Sequence, residues 1–94
     1  HKGHGVNKSL NQTIAWFRKA AQGGHPTAMF NMGYAHWFGI GVRQNLGRAV
    51  DWWKKSAKKG EAAAQYNLAR CYLSGKGTGR DLREAYYWIN LAAA

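Results

Sequence analysis

The chain has 94 residues, 14 Lys+Arg against 4 Asp+Glu for a formal net charge of +10, and one cysteine. That length holds one small domain and leaves no room for a separate cofactor domain, and a lone Cys71 builds neither an intramolecular disulfide nor a zinc cage of cysteines. No apolar run reaches the ~18–20 residues of a membrane span, the opening HKGHGVNKSL lacks a signal-peptide core, and a hydrophobic content of 46% is too high for a disordered tail.

In chain order, the first predicted helix covers about 10–22, with Ser9 as its expected N-cap and Gly24 closing it. A second runs near 25–37, where Pro26 suits the first turn and Ala28, Met32, Gly33 and His36 recur at helical spacing. A third runs near 46–59, capped by Asn45, with an apolar stripe of Leu46, Ala49, Val50, Trp53 and Ala57. The fourth, near 61–73, repeats the second through Ala64, Leu68, Ala69 and Tyr72. The fifth, near 82–93, repeats the third through Leu82, Ala85, Tyr86, Ile89 and Ala93, behind a capping Asp81. Small residues at 28, 33, 64 and 69 allow a neighbouring helix to come close.

These elements repeat at an offset of 36 residues. Laying 28–58 on 64–94 pairs Ala28/Ala64, Asn31/Asn67, Gly39/Gly75, Gly41/Gly77, Leu46/Leu82, Ala49/Ala85, Trp52/Trp88 and Ala57/Ala93. Laying 3–24 on 39–60 pairs Gly3/Gly39, Gly5/Gly41, Val6/Val42, Leu10/Leu46, Trp16/Trp52, Lys19/Lys55, Ala21/Ala57 and Gly24/Gly60. Trp16, Trp52 and Trp88 share one register and are expected to be packing residues. The Gly-x-Gly pairs at 3/5, 39/41 and 75/77 read as turns needing positive φ; a phosphate loop would need a strand before and the full glycine fingerprint after. The expected fold is an all-α α-α solenoid of about five helices in the order B, A, B, A, B. It forms one repeat domain, with a partial unit at 1–24, a full unit at 25–60 and a nearly full one at 61–94. Its last helix B would expose the face that a following repeat covers.

The segments AMFNMGYAHWFGIGVRQNLGRAVDWWKKSAKKG (28–60) and AQYNLARCYLSGKGTGRDLREAYYWINLAAA (64–94) resemble the Sel-one-like repeat (SLR) family, a relative of the tetratricopeptide repeat. His36 stands where the family pattern has Tyr, Ala69 where it has Gly, Thr78 where it has Val, and Leu91 where Lys19 and Lys55 stand in the other units. The resemblance implies a right-handed superhelix and a scaffold for protein–protein contact, common in bacteria. Some secreted bacterial members staple each repeat with a cysteine pair, a subtype that a single Cys71 argues against.

By the same resemblance, helix A lines the concave face, so residues on it that the repeat does not require are the candidates for partner binding. They are Tyr34, Trp37, Phe38, Arg70 and Leu73, of types that include the usual interface anchors. Trp37 and Phe38 have a second reading, as cover for the adjacent turn. A basic patch at the ends of helix B, comprising Arg18, Lys19, Lys54, Lys55, Lys58 and Lys59, offers the alternative of nucleic-acid or anionic-membrane binding. Cations there also complement the helix dipole, and the stripe does not continue into the third helix B, which disfavours nucleic acid. Arg43, Lys76 and Arg80 are assigned to loops, away from the groove. Two further partner readings are regulation or inhibition of one dedicated enzyme or toxin, and self-association through uncapped solenoid ends. His1, His4, His25 and His36 show no His-x-x-x-His spacing, no Cys-x-x-Cys occurs, and no paired carboxylates or nucleophile elbow is present. No metal, cofactor or catalytic residue is therefore assigned, and the chain is read as a non-enzyme.

Overall fold

The computed structural model describes residues 3–94, with side chains from Ser9 onward. It holds five helices: α1 (Gly3–Gln22), α2 (Pro26–Phe38), α3 (Leu46–Lys58), α4 (Ala62–Ser74) and α5 (Leu82–Ala93). No strand is present among the described residues. Each helix packs mainly on its chain neighbours, which draws the molecule out to 47 × 24 × 18 Å. No described helix is long and apolar enough to cross a membrane.

The caps form as expected in the second and third units. Asn45 accepts the Arg48 N–H at 2.9 Å, and Asp81 accepts the N–H groups of Arg83 and Glu84 at 3.1 and 3.2 Å. A backbone bond runs back from each cap to the preceding helix A, Asn45 N–H to the His36 carbonyl at 2.8 Å and Asp81 N–H to the Tyr72 carbonyl at 2.9 Å. The Gly-x-Gly turn makes that return possible. Gly39, Gly41, Gly75 and Gly77 all have φ between 70° and 78°. A Cβ on Gly77 would meet Val50 Cγ2 at 2.8 Å and the Leu46 carbonyl at 2.9 Å, because the turn crosses directly over the helix B of the unit before.

The first unit departs from this. α1 begins at Gly3, so Gly3 and Gly5 are helical rather than a turn, and Ser9 lies inside the helix instead of capping it. Its carbonyl accepts the Thr13 hydroxyl at 3.0 Å. The physical reason lies in the anchor: among the described residues no helix A precedes Ser9, so no carbonyl holds its N–H in the extended geometry that Asn45 and Asp81 adopt.

Two cores fill the solenoid. One gathers Ile14, Ala21, Ala28, Met29, Met32 and Ala35, with Trp52 packed against it. The other gathers Val50, Trp53, Ala57, Ala64, Leu68, Ala69, Cys71 and Trp88. The tryptophan register thus points back onto the preceding unit. Trp52 and Trp88 find one there, whereas Trp16 is 72% exposed, contrary to its expected packing role, because no described helix lies beneath it. The forward stripe of helix B shows the same rule: Val50, Trp53 and Ala57 are buried with α4, but Leu82, Tyr86, Ile89 and Ala93 on α5 are exposed.

α2 and α3 come close together at Gly33. The Trp53 indole packs on Gly33, and its N–H donates to the Phe30 carbonyl at 3.1 Å. The Ser56 hydroxyl donates to the Pro26 carbonyl at 2.7 Å one turn along. A Cβ on Gly33 would collide with the Trp53 ring and stand 3.0 Å from the Ala49 carbonyl. The following unit has Ala69 with Ile89, a small residue one methyl larger facing a smaller apolar one at the same two positions.

Gly33→Ala should therefore destabilise the chain by about 1–3 kcal/mol, read as a lower Tm in thermal unfolding. Gly47→Ala is the counterpart. It adds a Cβ to α3 whose nearest neighbour is 3.5 Å away, and should raise stability by about 0.5–1 kcal/mol through helix propensity. Equal effects at the two sites would contradict the packing at Gly33.

Candidate functional site

α2 and α4 present their outer turns side by side with α3 behind them. Between them lies a cavity of about 650 Å³ lined by Tyr34, Trp37, Phe38, Trp53, Asn67, Arg70, Cys71, Leu73, Ser74 and Lys76. Helical spacing puts Tyr34 and Phe38 one turn apart, with ring centroids at 4.7 Å, and places Arg70, Leu73 and Ser74 on one face of α4. All five helix-A candidates therefore come to one cavity.

Their burial differs. Tyr34 is 46%, Phe38 55% and Leu73 52% exposed. Trp37 is half-buried: it packs against the core and lies 5.2 Å from Trp53, centroid to centroid. It is at once a wall of the groove and part of the fold. Arg70 is exposed, its guanidinium 5.8 Å from the Tyr66 ring centroid.

Lys76 lies in the loop expected for it, but the structure corrects the expectation that this loop stands away from the groove, since Lys76 lines the cavity. The turn after α4 folds back toward the groove, with the Lys76 N–H donating to the Ser74 hydroxyl at 3.3 Å. Asn67, Ser74 and Trp53 were likewise not singled out as lining residues. The recurrence of Asn31 and Asn67 on helix A was a usable signal for Asn67, and register alone could not tell that the Trp53 edge reaches the groove floor.

The alternative basic residues lie elsewhere, and none of them lines this cavity. Lys55 Nζ sits 4.9 Å from the Trp52 ring centroid and Lys54 Nζ 5.9 Å from that of Tyr72, so these two cover the repeat's own aromatics. Lys58 and Lys59 are exposed at the end of α3, and Arg18 and Lys19 are exposed on α1.

Two titratable groups are buried, Cys71 in the wall of the groove and His36 on α2 outside its lining. Burial pushes the Cys71 thiol up to about 11, with the Arg70 charge opposing it, so the sulfur stays protonated near neutral pH and is a poor nucleophile. His36 is buried with its Nδ1 unpaired. Burial holds its pKa below the ordinary value; a hydrogen bond with the Arg43 backbone opposes this, and the charges of Arg48 and Arg18 reinforce it. No group of three potential metal-ligating side chains occurs among the described residues. His1 and the side chain of His4 lie outside those residues.

The Sel1 repeat family model matches residues 1–25, 26–61 and 62–94. A crystal structure of a Sel1 repeat protein from Oxalobacter formigenes matches with a TM-score of 0.82 at 39% identity, over 85% of this chain and 61% of that one. The structure of c5321, a protective antigen of uropathogenic Escherichia coli displaying an SLR fold, gives 0.85 at 32% identity, over 88% of this chain and 18% of that one. The chain thus spans less than two thirds of the length of either. None of the curated proteins matches it.

The His36 environment sets a pH dependence. Its folded pKa is lowered, so the unfolded chain takes up a proton first, near the ordinary value of about 6.5. Stability from this group is complete above that value and falls as the pH drops from there through the folded pKa. Tm should decline between pH 7.5 and 5 in the native chain, and decline less in His36→Tyr, which carries the residue found at position 72. Parallel Tm profiles would remove His36 as the source.

Proposed function

The chain belongs to the Sel1 repeat family, whose members are generally protein-interaction scaffolds, and we propose that it holds a segment of a protein partner in the groove between α2 and α4. The observation that carries this reading is the exposure of Tyr34, Phe38 and Leu73 around one cavity. At two of these positions the repeat does not require a large apolar group, since the equivalent of Tyr34 is Arg70 and that of Phe38 is Ser74, whereas Leu73 answers to Trp37. Exposed apolar groups clustered in a concavity, free of a packing duty, are the usual features of a binding site.

The mechanism is shape plus anchors. Helix pairs locked by buried cores present the ring pair Tyr34–Phe38 with little ordering left to do on binding. Leu73 and the exposed edge of Trp37 extend the apolar wall, and Arg70 supplies a directional polar contact. No chemical step is assigned to these residues.

Tyr34→Ala combined with Phe38→Ala tests this more cleanly than a Trp37 variant, since Trp37 also holds the core. Both rings are exposed, so the helical circular dichroism and Tm should stay close to the native ones. A partner isolated with the native chain should bind the variant about thirtyfold or more weaker, corresponding to the ~2 kcal/mol loss of an interface anchor. Equal binding by this variant, with loss on neutralising Lys54, Lys55, Lys58 and Lys59, would instead favour the basic helix ends.

A further inference from the structure

The groove is one-sided in charge. Two of its lining residues, Arg70 and Lys76, are cations and none is a carboxylate. Three of the chain's four acidic side chains are engaged elsewhere: Glu61 accepts the Thr27 hydroxyl, Asp81 caps α5, and Glu84 accepts the Trp88 indole N–H. The fourth, Asp51, lies exposed on α3. Arg70 stands before the last turn of α4, and Lys76 directly follows its Gly75 cap, so the dipole of α4 gives at most Lys76 a partial structural use. The opposite wall is aromatic, with Tyr34, Trp37 and Phe38.

Resting on the groove reading, we infer that the segment it takes is an acidic peptide carrying an aromatic or aliphatic anchor. The anchor packs against the Tyr34–Phe38 wall and Leu73, and the Asp or Glu side chains face Arg70 and Lys76. Charge complementarity selects the partner more than it adds affinity. A basic segment would bring like charges to Arg70 and Lys76 on a chain already at +10, while an acidic one is drawn toward it by the same field. A single nucleic-acid strand also combines negative charge with flat apolar surface, but it calls for a basic track along its whole backbone. This groove offers two cations at one wall, and the helix-B lysines are not part of it.

The test is selection from a random dodecapeptide display library on the 94-residue chain, followed by affinity measurement of enriched peptides on three variants. Enriched sequences should combine Asp or Glu with Phe, Trp, Tyr or Leu. They should bind Arg70→Glu/Lys76→Glu roughly tenfold or more weaker, from two reversed ion pairs. They should bind Tyr34→Ala/Phe38→Ala weaker as well, and the chain with Lys54, Lys55, Lys58 and Lys59 changed to Gln within about twofold. Peptides that need Tyr34 and Phe38 but are neutral or basic would overturn the inference and leave the groove reading standing. Acidic peptides that depend on the four lysines and not on Arg70 and Lys76 would overturn the inference. A groove-dependent preference for a twelve-nucleotide oligothymidylate probe over every enriched peptide would do the same. Enrichment indifferent to Tyr34 and Phe38, or no enrichment, would sink both readings.

Discussion

Trp53 carries a buried indole, and a buried N–H needs an acceptor while a buried ring needs room. Both demands are met by α2. The Phe30 carbonyl takes the proton at 3.1 Å, and Gly33 leaves the space. Meeting them draws α2 and α3 into close contact. The same ring lies within 5.2 Å of Trp37 and 6.3 Å of Phe30 and forms part of the floor of the groove. Core and candidate site therefore share one side chain: the residue that holds the helix pair together also fixes where the Tyr34–Phe38 wall stands. A site built this way is stiff because it stands on helices rather than on a loop.

Exposed apolar groups in this molecule fall into two kinds, and the repeat separates them. Trp16, Leu82, Tyr86 and Ile89 are exposed at positions whose counterparts are wholly or partly buried, namely Trp52 and Trp88, Leu46, Val50 and Trp53. Their exposure follows from the absence of a helix on that side among the described residues. Tyr34 and Phe38 are different. Their counterparts, Arg70 and Ser74, are exposed, so no stacking repeat would cover them. Leu73 stands apart, because its counterpart Trp37 is half-buried against the core. Solenoid stacking accounts for the first kind and leaves the second without a structural purpose.

The register of 36 made most of this legible before any coordinates. It placed five helices, predicted Asn45 and Asp81 as caps, and separated residues the repeat needs from those it does not, which is how Tyr34, Phe38, Arg70 and Leu73 came to be named together. It failed where it treated all units as alike. Ser9 was given the role of Asn45, and Trp16 that of Trp52, although each role depends on a helix that precedes it and none is described there. It also misplaced Lys76, because a loop residue's direction is set by how the Gly75–Gly77 turn crosses the helix below. That close approach to Leu46 and Val50 is a three-dimensional fact. Trp37 combines both kinds of information: its type marks it as an anchor, and only its contact with Trp53 shows that it supports the fold as well.

The charge of +10 changes meaning once it is divided among positions. Lys55 and Lys54 lie over the Trp52 and Tyr72 rings, which the stack leaves half-open, a use of long cationic side chains that requires no ligand. Lys55 and Lys58 stand in the last turn of α3, where a cation is stabilised by the helix dipole. These cations are accounted for by the helix that carries them. Arg70 is accounted for only in part, by its contact with the Tyr66 ring, and Lys76 only in part, by its place next to the Gly75 cap of α4. Both border the cavity whose other wall is apolar without structural need. Two kinds of residue in excess of what the fold requires, cationic on one side and aromatic on the other, meet in one place. The groove, rather than the more heavily charged helix-B surface, is where selection for a partner has the most to act on.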